Sequence, residues 1–143
     1  MLHNKKGFTL IEMLVVIAII AVLVSIIIPT VTSATDKAAA AADAANLRSV
    51  LGSLNSELAA GGKEVGEVVG AIDAPESKMN KDAELHILYT SPGFIKVFYV
   101  MGENYYGLEY LSDVATNNSS SLSTEKPSTA GTWYKTGSSD PLT

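Results

Sequence analysis

Residues 5–28 read KKGFTLIEMLVVIAIIAVLVSIII, and no other part of the chain limits the possible structures as strongly. Between Met13 and Ile28 the run contains no charge, no glycine and no proline. Counted from Phe8 it has 21 residues. As a helix that length would measure about 30 Å, which matches the hydrocarbon core of a bilayer. The sequence therefore predicts a membrane-spanning helix, and the basic pair Lys5-Lys6 just before it favours a cytoplasmic N-terminus.

Glu12 is the one charged residue within this segment. A charge at that depth is costly in lipid, so an acid there is a candidate functional residue by default. The alternative is an acid that reaches the membrane interface and has no specific partner. The sequence leaves both interpretations open at this point.

The series KKGFTLIE followed by a long apolar run resembles the processing site of the type IV pilin superfamily. This superfamily includes type IVa pilins and the pseudopilins of type II secretion and competence systems. The resemblance covers about the first 30 residues, and the short leader, residues 1–7, is typical of the type IVa and pseudopilin group. It implies that a membrane-embedded prepilin peptidase cuts after Gly7 and methylates the new amine on Phe8.

The resemblance also implies an assembly role for Phe8 and Glu12. In a filament, the amine of Phe8 on one subunit would pair with the ionised Glu12 of a neighbour. The attraction between such charges is strong in a low dielectric, but their desolvation offsets much of it. We therefore expect the pair to set axial register and subunit recruitment more than bulk stability.

Two other interpretations of the N-terminus explain less of the sequence. A secretory signal peptide has an apolar region of about 7–15 residues, shorter than this run, and the small residues Ala38–Ala42 begin about ten residues beyond its end. An unprocessed signal anchor accounts for the lysine pair and the apolar run, but it leaves Gly7-Phe8 and Glu12 without a role.

Pro29 ends the apolar run and divides the predicted helix. Proline in a helix interior removes a hydrogen bond and crowds the preceding turn, so the helix either ends or bends there. Because strong helix formers follow, we expect a kink at Pro29, with a filament-core helix over residues 8–29 and an amphipathic continuation over residues 30–60. The small side chains of residues 38–42 would permit close helix–helix approach in a filament core.

The second half of this helix is predicted to pack on a sheet through one apolar stripe, with Asp43 off the stripe. The pair Gly61-Gly62 is a stop signal. The stripe has the spacing i, i+3, i+4, i+7, i+11 and consists of Leu47, Val50, Leu51, Leu54 and Leu58.

Residues 61–84 form the predicted connecting loop, with one short helical turn around Val65–Ile72. The loop carries six acids and three lysines. It is either a solvated linker or a contact surface between subunits.

Residues 85–143 are predicted to form an antiparallel β-sheet head with a Ser/Thr-rich C-terminal loop. Alternating apolar residues mark strands at Leu85–Tyr89, at Ile95–Met101 and at Tyr106–Tyr110, and a fourth strand is expected near Thr132–Lys135. The tail from Ser112 is predicted to be a surface loop that Trp133 and Tyr134 attach to the head. The expected fold class is α+β, a long helix on a small antiparallel sheet, which is the pilin fold that the resemblance implies.

Composition and charge bound the function. The net charge is −5, and loss of Lys5 and Lys6 with the leader would leave 8 − 15 = −7, so a uniform nucleic-acid-binding surface is not expected. The chain has no cysteine, which excludes disulfides and thiol chemistry. His86 is expected at the rim of the core, and the acids near the C-terminus are too sparse for a calcium loop. We predict no catalytic residues, no metal, no cofactor and no enzymatic activity.

The sequence thus predicts a pilin that waits in the cytoplasmic membrane as a single-pass protein and is polymerised into an extracellular filament. The resemblance implies as partners other copies of itself, minor pilins, the prepilin peptidase, and an assembly platform protein with its ATPase. Adhesion, twitching motility and DNA uptake are the downstream uses. A pseudopilin that forms a short piston is the alternative, and a membrane-anchored binding module that never polymerises is a third.

Overall fold

The computed structural model describes residues 7–90, 94–117 and 124–142. The chain divides into two compact units, residues 1–35 and residues 36–143, and one long helix contributes to both. The elements are α1 (Leu10–Ala60), α2 (Val65–Ala71), β1 (Glu84–Thr90), β2 (Phe94–Met101), β3 (Asn104–Gly107), α3 (Leu108–Asn117), β4 (Thr132–Lys135) and β5 (Pro141–Leu142).

Helix α1 continues through Pro29, so the helix does not end at that residue. The kink expected there stays a prediction. The helix ends at Ala60 because Gly61 and Gly62 follow with φ angles of 76° and 88°, a left-handed conformation that side chains disfavour. The stop signal in the sequence is confirmed.

The core of the C-terminal unit forms where the apolar stripe of α1 packs on the sheet. Leu47, Val50 and Leu54 are at most 5% exposed, while Leu51 and Leu58 are partly buried against the same cluster. Full burial of such a side chain contributes roughly 1.5–3 kcal/mol. The sheet contributes Leu85, Ile87, Val97 and Tyr99, whose side chains share one face because they alternate along β1 and β2.

The five strands pair antiparallel in the order β3-β2-β1-β4-β5. Strand β1 lies at the centre, with β2 on one side and β4 on the other. Strands β1, β2 and β3 form the predicted meander, and β4 spans the predicted residues Thr132–Lys135. The predicted turn at residues 91–93 lies outside the described residues. The two-residue strand β5 has no counterpart in the prediction.

The opposite face of the sheet carries a second apolar cluster. Leu88, Phe98 and Val100 are at most 8% exposed there, and Tyr105 and Trp133 pack against them. The ring centroids of Phe98 and Trp133 are 5.6 Å apart, and those of Tyr105 and Trp133 are 5.3 Å apart. Trp133 on this face and Tyr134 on the helix side attach the end of the chain to the sheet, as predicted.

Helix α2 confirms the predicted helical turn and packs directly on the turn between β4 and β5. Its Gly66 faces the backbone of Ser139, where a Cβ atom would overlap the carbonyl oxygen. One turn later, a Cβ on Gly70 would lie 3.2 Å from the Ser139 nitrogen. The two glycines allow the close approach, so α2 is held to the C-terminal end of the chain.

The third predicted strand, Tyr106–Tyr110, is wrong in its second half. Strand β3 ends at Gly107, and residues from Leu108 to Asn117 form α3. The apolar residues Leu108, Leu111 and Val114 recur every three residues, which is a helical spacing, and the latter two are buried. The start of the tail at Ser112 is therefore helical, which corrects the predicted surface loop for that part.

The placement of Asp43 off the buried face is also wrong. Its side chain is 0% exposed and lies one helical turn before Leu47 on the same stripe. The carboxylate is tolerated there because it accepts hydrogen bonds from the loop that follows α2.

Candidate functional site: the N-terminal helix

Gly7 and Phe8 precede α1 and are exposed. Phe8 is 81% exposed, and a Cβ atom built on Gly7 would meet nothing within 4 Å. The peptide bond between the two residues, which is the predicted cleavage site, therefore lies in non-helical backbone with open space around it. That arrangement is compatible with access by a protease.

Thr9 and Glu12 form a reciprocal cap at the start of α1. The backbone N–H of Thr9 donates to Oε2 of Glu12 at 2.8 Å, and the Thr9 hydroxyl donates to the same oxygen at 2.9 Å. In return the Glu12 N–H donates to Oγ1 of Thr9 at 3.3 Å. This is the capping box, in which two helix-start donors without helical partners are satisfied at once.

The capping box gives Glu12 a local partner that the sequence interpretation did not consider. The pattern Thr-x-x-Glu ahead of an apolar run was a readable signal for it. Both bonds from Thr9 reach Oε2, and no hydrogen bond to Oε1 of Glu12 is seen from the residues that the structure describes.

The first half of α1 presents apolar side chains all around its surface. Exposed fractions of its large apolar residues from Leu10 to Val31 run from 44% at Val24 to 82% at Leu10. An 18-residue window has a mean hydropathy of 3.2, and none of it is buried within the protein. By length and composition, this is the one helix among the described residues that could cross a membrane.

Hydroxyl side chains accompany Pro29 along the helix. The hydroxyls of Ser25, Thr30 and Thr32 donate to main-chain carbonyls three residues back, at 2.7, 2.7 and 3.0 Å. Such bonds compete with the helical hydrogen bonds of the backbone. Proline also lacks the backbone donor of a helical hydrogen bond, so two local features oppose regular helix at this stretch.

A second polar site, the Asp43 clamp, joins α1 to the loop after α2. The clamp consists of Asp43, Ser77, Lys78 and Met79. The Ser77 hydroxyl and the Met79 N–H donate to Oδ2 of Asp43 at 2.6 and 3.0 Å, and the Lys78 N–H donates to Oδ1 at 2.6 Å. The hydrogen bonds to the Asp43 carboxylate all come from within the chain, so the role of the clamp is to hold the loop.

No group of three or more His, Asp or Glu side chains among the described residues is arranged to hold a metal ion. His86 lies opposite the helix-facing side of β1 and contacts Glu84, with 3.5 Å between Nε2 and Oε2. The sequence Asn117-Asn118-Ser119-Ser120 contains two Asn-X-Ser matches, which extend outside the described residues.

One comparison with known proteins gives a match. Residues 2–28 match the family model for the prokaryotic N-terminal methylation motif. Neither curated proteins nor solved structures give a significant match to the chain. The match covers the leader, the capping box and the apolar half of α1.

Proposed function

The chain carries the prepilin signature that type IV pilins and pseudopilins share, and from this premise we propose that it is a filament subunit of the type IV pilus. Prepilin peptidase would remove residues 1–7 and methylate the amine of Phe8. The subunit would then wait in the cytoplasmic membrane until the assembly platform and its ATPase add it to a filament outside the cell. It would serve adhesion, twitching motility or DNA uptake, with no enzymatic activity of its own.

The observation that carries the proposal is the match to the methylation motif on a helix whose N-terminal, apolar half is exposed. A helix that is apolar on all sides needs lipid or other helices around it. The membrane supplies the first environment and a bundle of N-terminal helices in the filament supplies the second.

In the proposed assembly, Glu12 pairs with the amine of a neighbouring Phe8. Thr9 keeps Oε2 of Glu12 occupied, and Oε1 remains for the amine. A protonated amine beside this carboxylate in a low dielectric would be a strong but costly pair, which suits a register function. The capping box would keep the carboxylate correctly oriented before the neighbour arrives.

Two substitutions at Glu12 separate pairing from capping. Glu12→Val should leave membrane insertion intact and abolish most of the filament yield, since it removes both functions. Glu12→Gln keeps a side chain that can form the capping box but carries no charge. We expect Glu12→Gln to insert normally and still assemble poorly. Ser25→Ala, which removes another polar group from the same apolar helix, is the control and should assemble normally.

The measurements are the mass of the mature chain and the amount of filament sheared from cells. Removal of residues 1–7 and a methylated Phe8 test the processing step. Long sheared filaments distinguish a pilin from a pseudopilin, whose polymer would stay short, and from an anchored binding module, which would give none. A normal filament yield from Glu12→Gln would contradict the charge pairing and leave capping as the role of Glu12.

A further inference from the structure

A cleft of about 500 Å³ lies in the C-terminal unit between α1 and the segment that follows it. Ser49, Ser53 and Glu57 line its α1 side, and Ala71, Ile72 and Asp73 line the other side. We call these six residues the acidic cleft. The Asn46 amide and the Lys63 amine also line the cleft, and Val50 and Val68 make it partly apolar. Its two carboxylates outnumber its one amine, which suits an occupant that is basic and partly apolar.

The surroundings of the acidic cleft are strongly negative. From residue 57 to residue 76 the chain carries five acids and one base, Lys63. That lysine is already paired with Glu57, with 3.0 Å between Nζ and Oε2. Glu67 directly precedes Val68, which also lines the cleft. The cleft therefore retains a negative potential after its own lysine is counted.

A matching group lies on the loop tip, which we define as residues 78–81 with the sequence Lys-Met-Asn-Lys. Lys78 and Lys81 are exposed, and Met79 is 40% exposed, an unusual fraction for a large apolar side chain in this unit. The Asp43 clamp fixes the backbone of the tip, and the Asn80 N–H donates to the Ser77 hydroxyl at 3.0 Å. The tip is thus a preorganised knob with two positive charges around a flexible apolar side chain.

The positions of the loop tip and the acidic cleft along α1 favour contact between two copies of the chain. The loop tip is held at Asp43, whereas the cleft extends along the same helix from Asn46 to Glu57, three to fourteen residues further on, or about 5 to 21 Å at 1.5 Å per residue. A contact between two different surfaces displaced along an axis is heterologous. Repeated from copy to copy, such a contact builds an open filament and not a closed dimer.

We propose that the loop tip of one subunit docks in the acidic cleft of a second copy. This contact between C-terminal units is additional to packing of the N-terminal helices. The inference rests on the proposed function, since it needs a polymer. Lys78 and Lys81 meet the carboxylates of Asp73 and Glu67, and Met79 lies against Ala71 and Ile72. Each exposed ion pair is weak singly, so the contact acts through repetition along the filament.

Charge reversal and its rescue test the contact in the full chain in cells. Lys78→Glu with Lys81→Glu should lower the sheared filament yield several-fold, because a negative tip would face a negative cleft. Adding Asp73→Lys and Glu67→Lys to the same chain restores opposite charges and should recover most of the yield. Lys96→Glu, an equally exposed lysine on β2, is the matched control and should assemble normally.

A cross-link gives a second readout in this cysteine-free chain. Two tagged copies are expressed together, one with Lys78→Cys and the other with Asp73→Cys, so a disulfide joining the two tags forms only between subunits. It requires Cα atoms within about 7 Å of each other. We expect the mixed cross-link in filaments, and less of it when filaments assemble in high salt, where charges are screened.

The outcomes are distinct from those that test the function. Normal yield from the reversed tip, or a combined variant no better than the reversed tip alone, overturns the contact while processing and filament formation stand. If the unaltered chain is processed but makes no filament, the proposed function falls and the contact falls with it. Recovery in the combined variant together with the mixed cross-link establishes the contact.

Discussion

Asp43 connects α1 to the loop after α2 through one carboxylate. It lies on the buried stripe of α1, and its oxygens accept from a hydroxyl and two backbone N–H groups of residues 77–79. Nearby, the Tyr99 hydroxyl of β2 donates to the Pro75 carbonyl at 2.9 Å, and burial raises the pKa of that phenol. The hydrogen bonds of one buried acid and its neighbours thus hold the connecting loop in place without a covalent cross-link.

We expect Asp43→Ala to lower the free energy of unfolding by about 3 kcal/mol, because it leaves buried donors without an acceptor. Urea unfolding of the full chain in detergent measures the change, and limited proteolysis should show faster cleavage within residues 72–83. Asp36→Ala, an exposed acid on the same helix, should change the stability by at most about 0.5 kcal/mol. Equal effects of the two substitutions would contradict a structural role for the clamp.

Glu12 shows how far a local motif can be read. The processing and assembly residues are predicted from contiguous letters, and the structure shows the capping box in the same letters. Asp43 was misplaced because its partners are more than thirty residues away, and a carboxylate on an apolar stripe is tolerated only when such partners arrive. Sequence periodicity alone did point to it, since Asp43, Leu47, Val50 and Leu54 follow one helical face.

Helix α2 illustrates a contact that depends on the absence of side chains. Gly66 and Gly70 lie against the backbone at Ser138 and Ser139, so α2 and the β4–β5 turn touch without intervening side chains. The sequence indicated the short helix. Glycine ordinarily destabilises a helix, and the structure shows why two are present here: they allow the C-terminal turn to approach.

Matched glycine substitutions in two helices test this packing. Gly66→Ala should destabilise the C-terminal unit by roughly 1–3 kcal/mol, the usual cost of overpacking, because its Cβ would overlap the Ser139 carbonyl. Gly52→Ala, exposed in α1 with open space around it, should stabilise the chain by up to about 1 kcal/mol through helix propensity. Thermal unfolding of both variants measures the difference, and stabilisation by both would exclude the close approach.

The segment that follows β3 in the chain was the hardest to predict from the sequence. Alternation through Tyr106 was read onward to Tyr110, although the edge-to-face contact of these two rings, with centroids 5.4 Å apart, joins a strand to a helix. The spacing of Leu108, Leu111 and Val114 signalled α3 but is only seven residues long. Short apolar runs of this kind fit both the helical and the strand period, so packing against the sheet determines which structure forms.

Across the whole molecule, acid stability should depend on His86. Burial lowers its pKa below the usual 6.5, although the neighbouring Glu84 opposes the shift and Lys135 and Lys126 reinforce it. Below pH 6.5 the unfolded chain therefore binds more protons than the folded chain. The stability that neutral His86 contributes is fully present above about pH 6.5. It is lost as the pH falls through the lowered pKa of His86 in the folded chain.

Chemical unfolding at pH 8 and at pH 5 tests this dependence. The chain should be less stable at pH 5, and His86→Gln should remove much of the difference. Glu84, whose pKa is lowered by its bond to Lys135, adds a separate loss only at more acidic pH, below about 4.5. An unchanged pH difference in His86→Gln would exclude the histidine as its source.

The central position of β1 also sets an order of events in time. Its two neighbours are β2, which follows within a few residues, and β4, which arrives almost at the end of the chain. Until residues 132–135 have been delivered, one edge of β1 and the apolar side chain of Leu88 have no cover from Trp133. Because a chain is synthesised from its N-terminus, one edge of β1 stays unpaired until residues 132–135 have been made, and this unit completes its sheet only then.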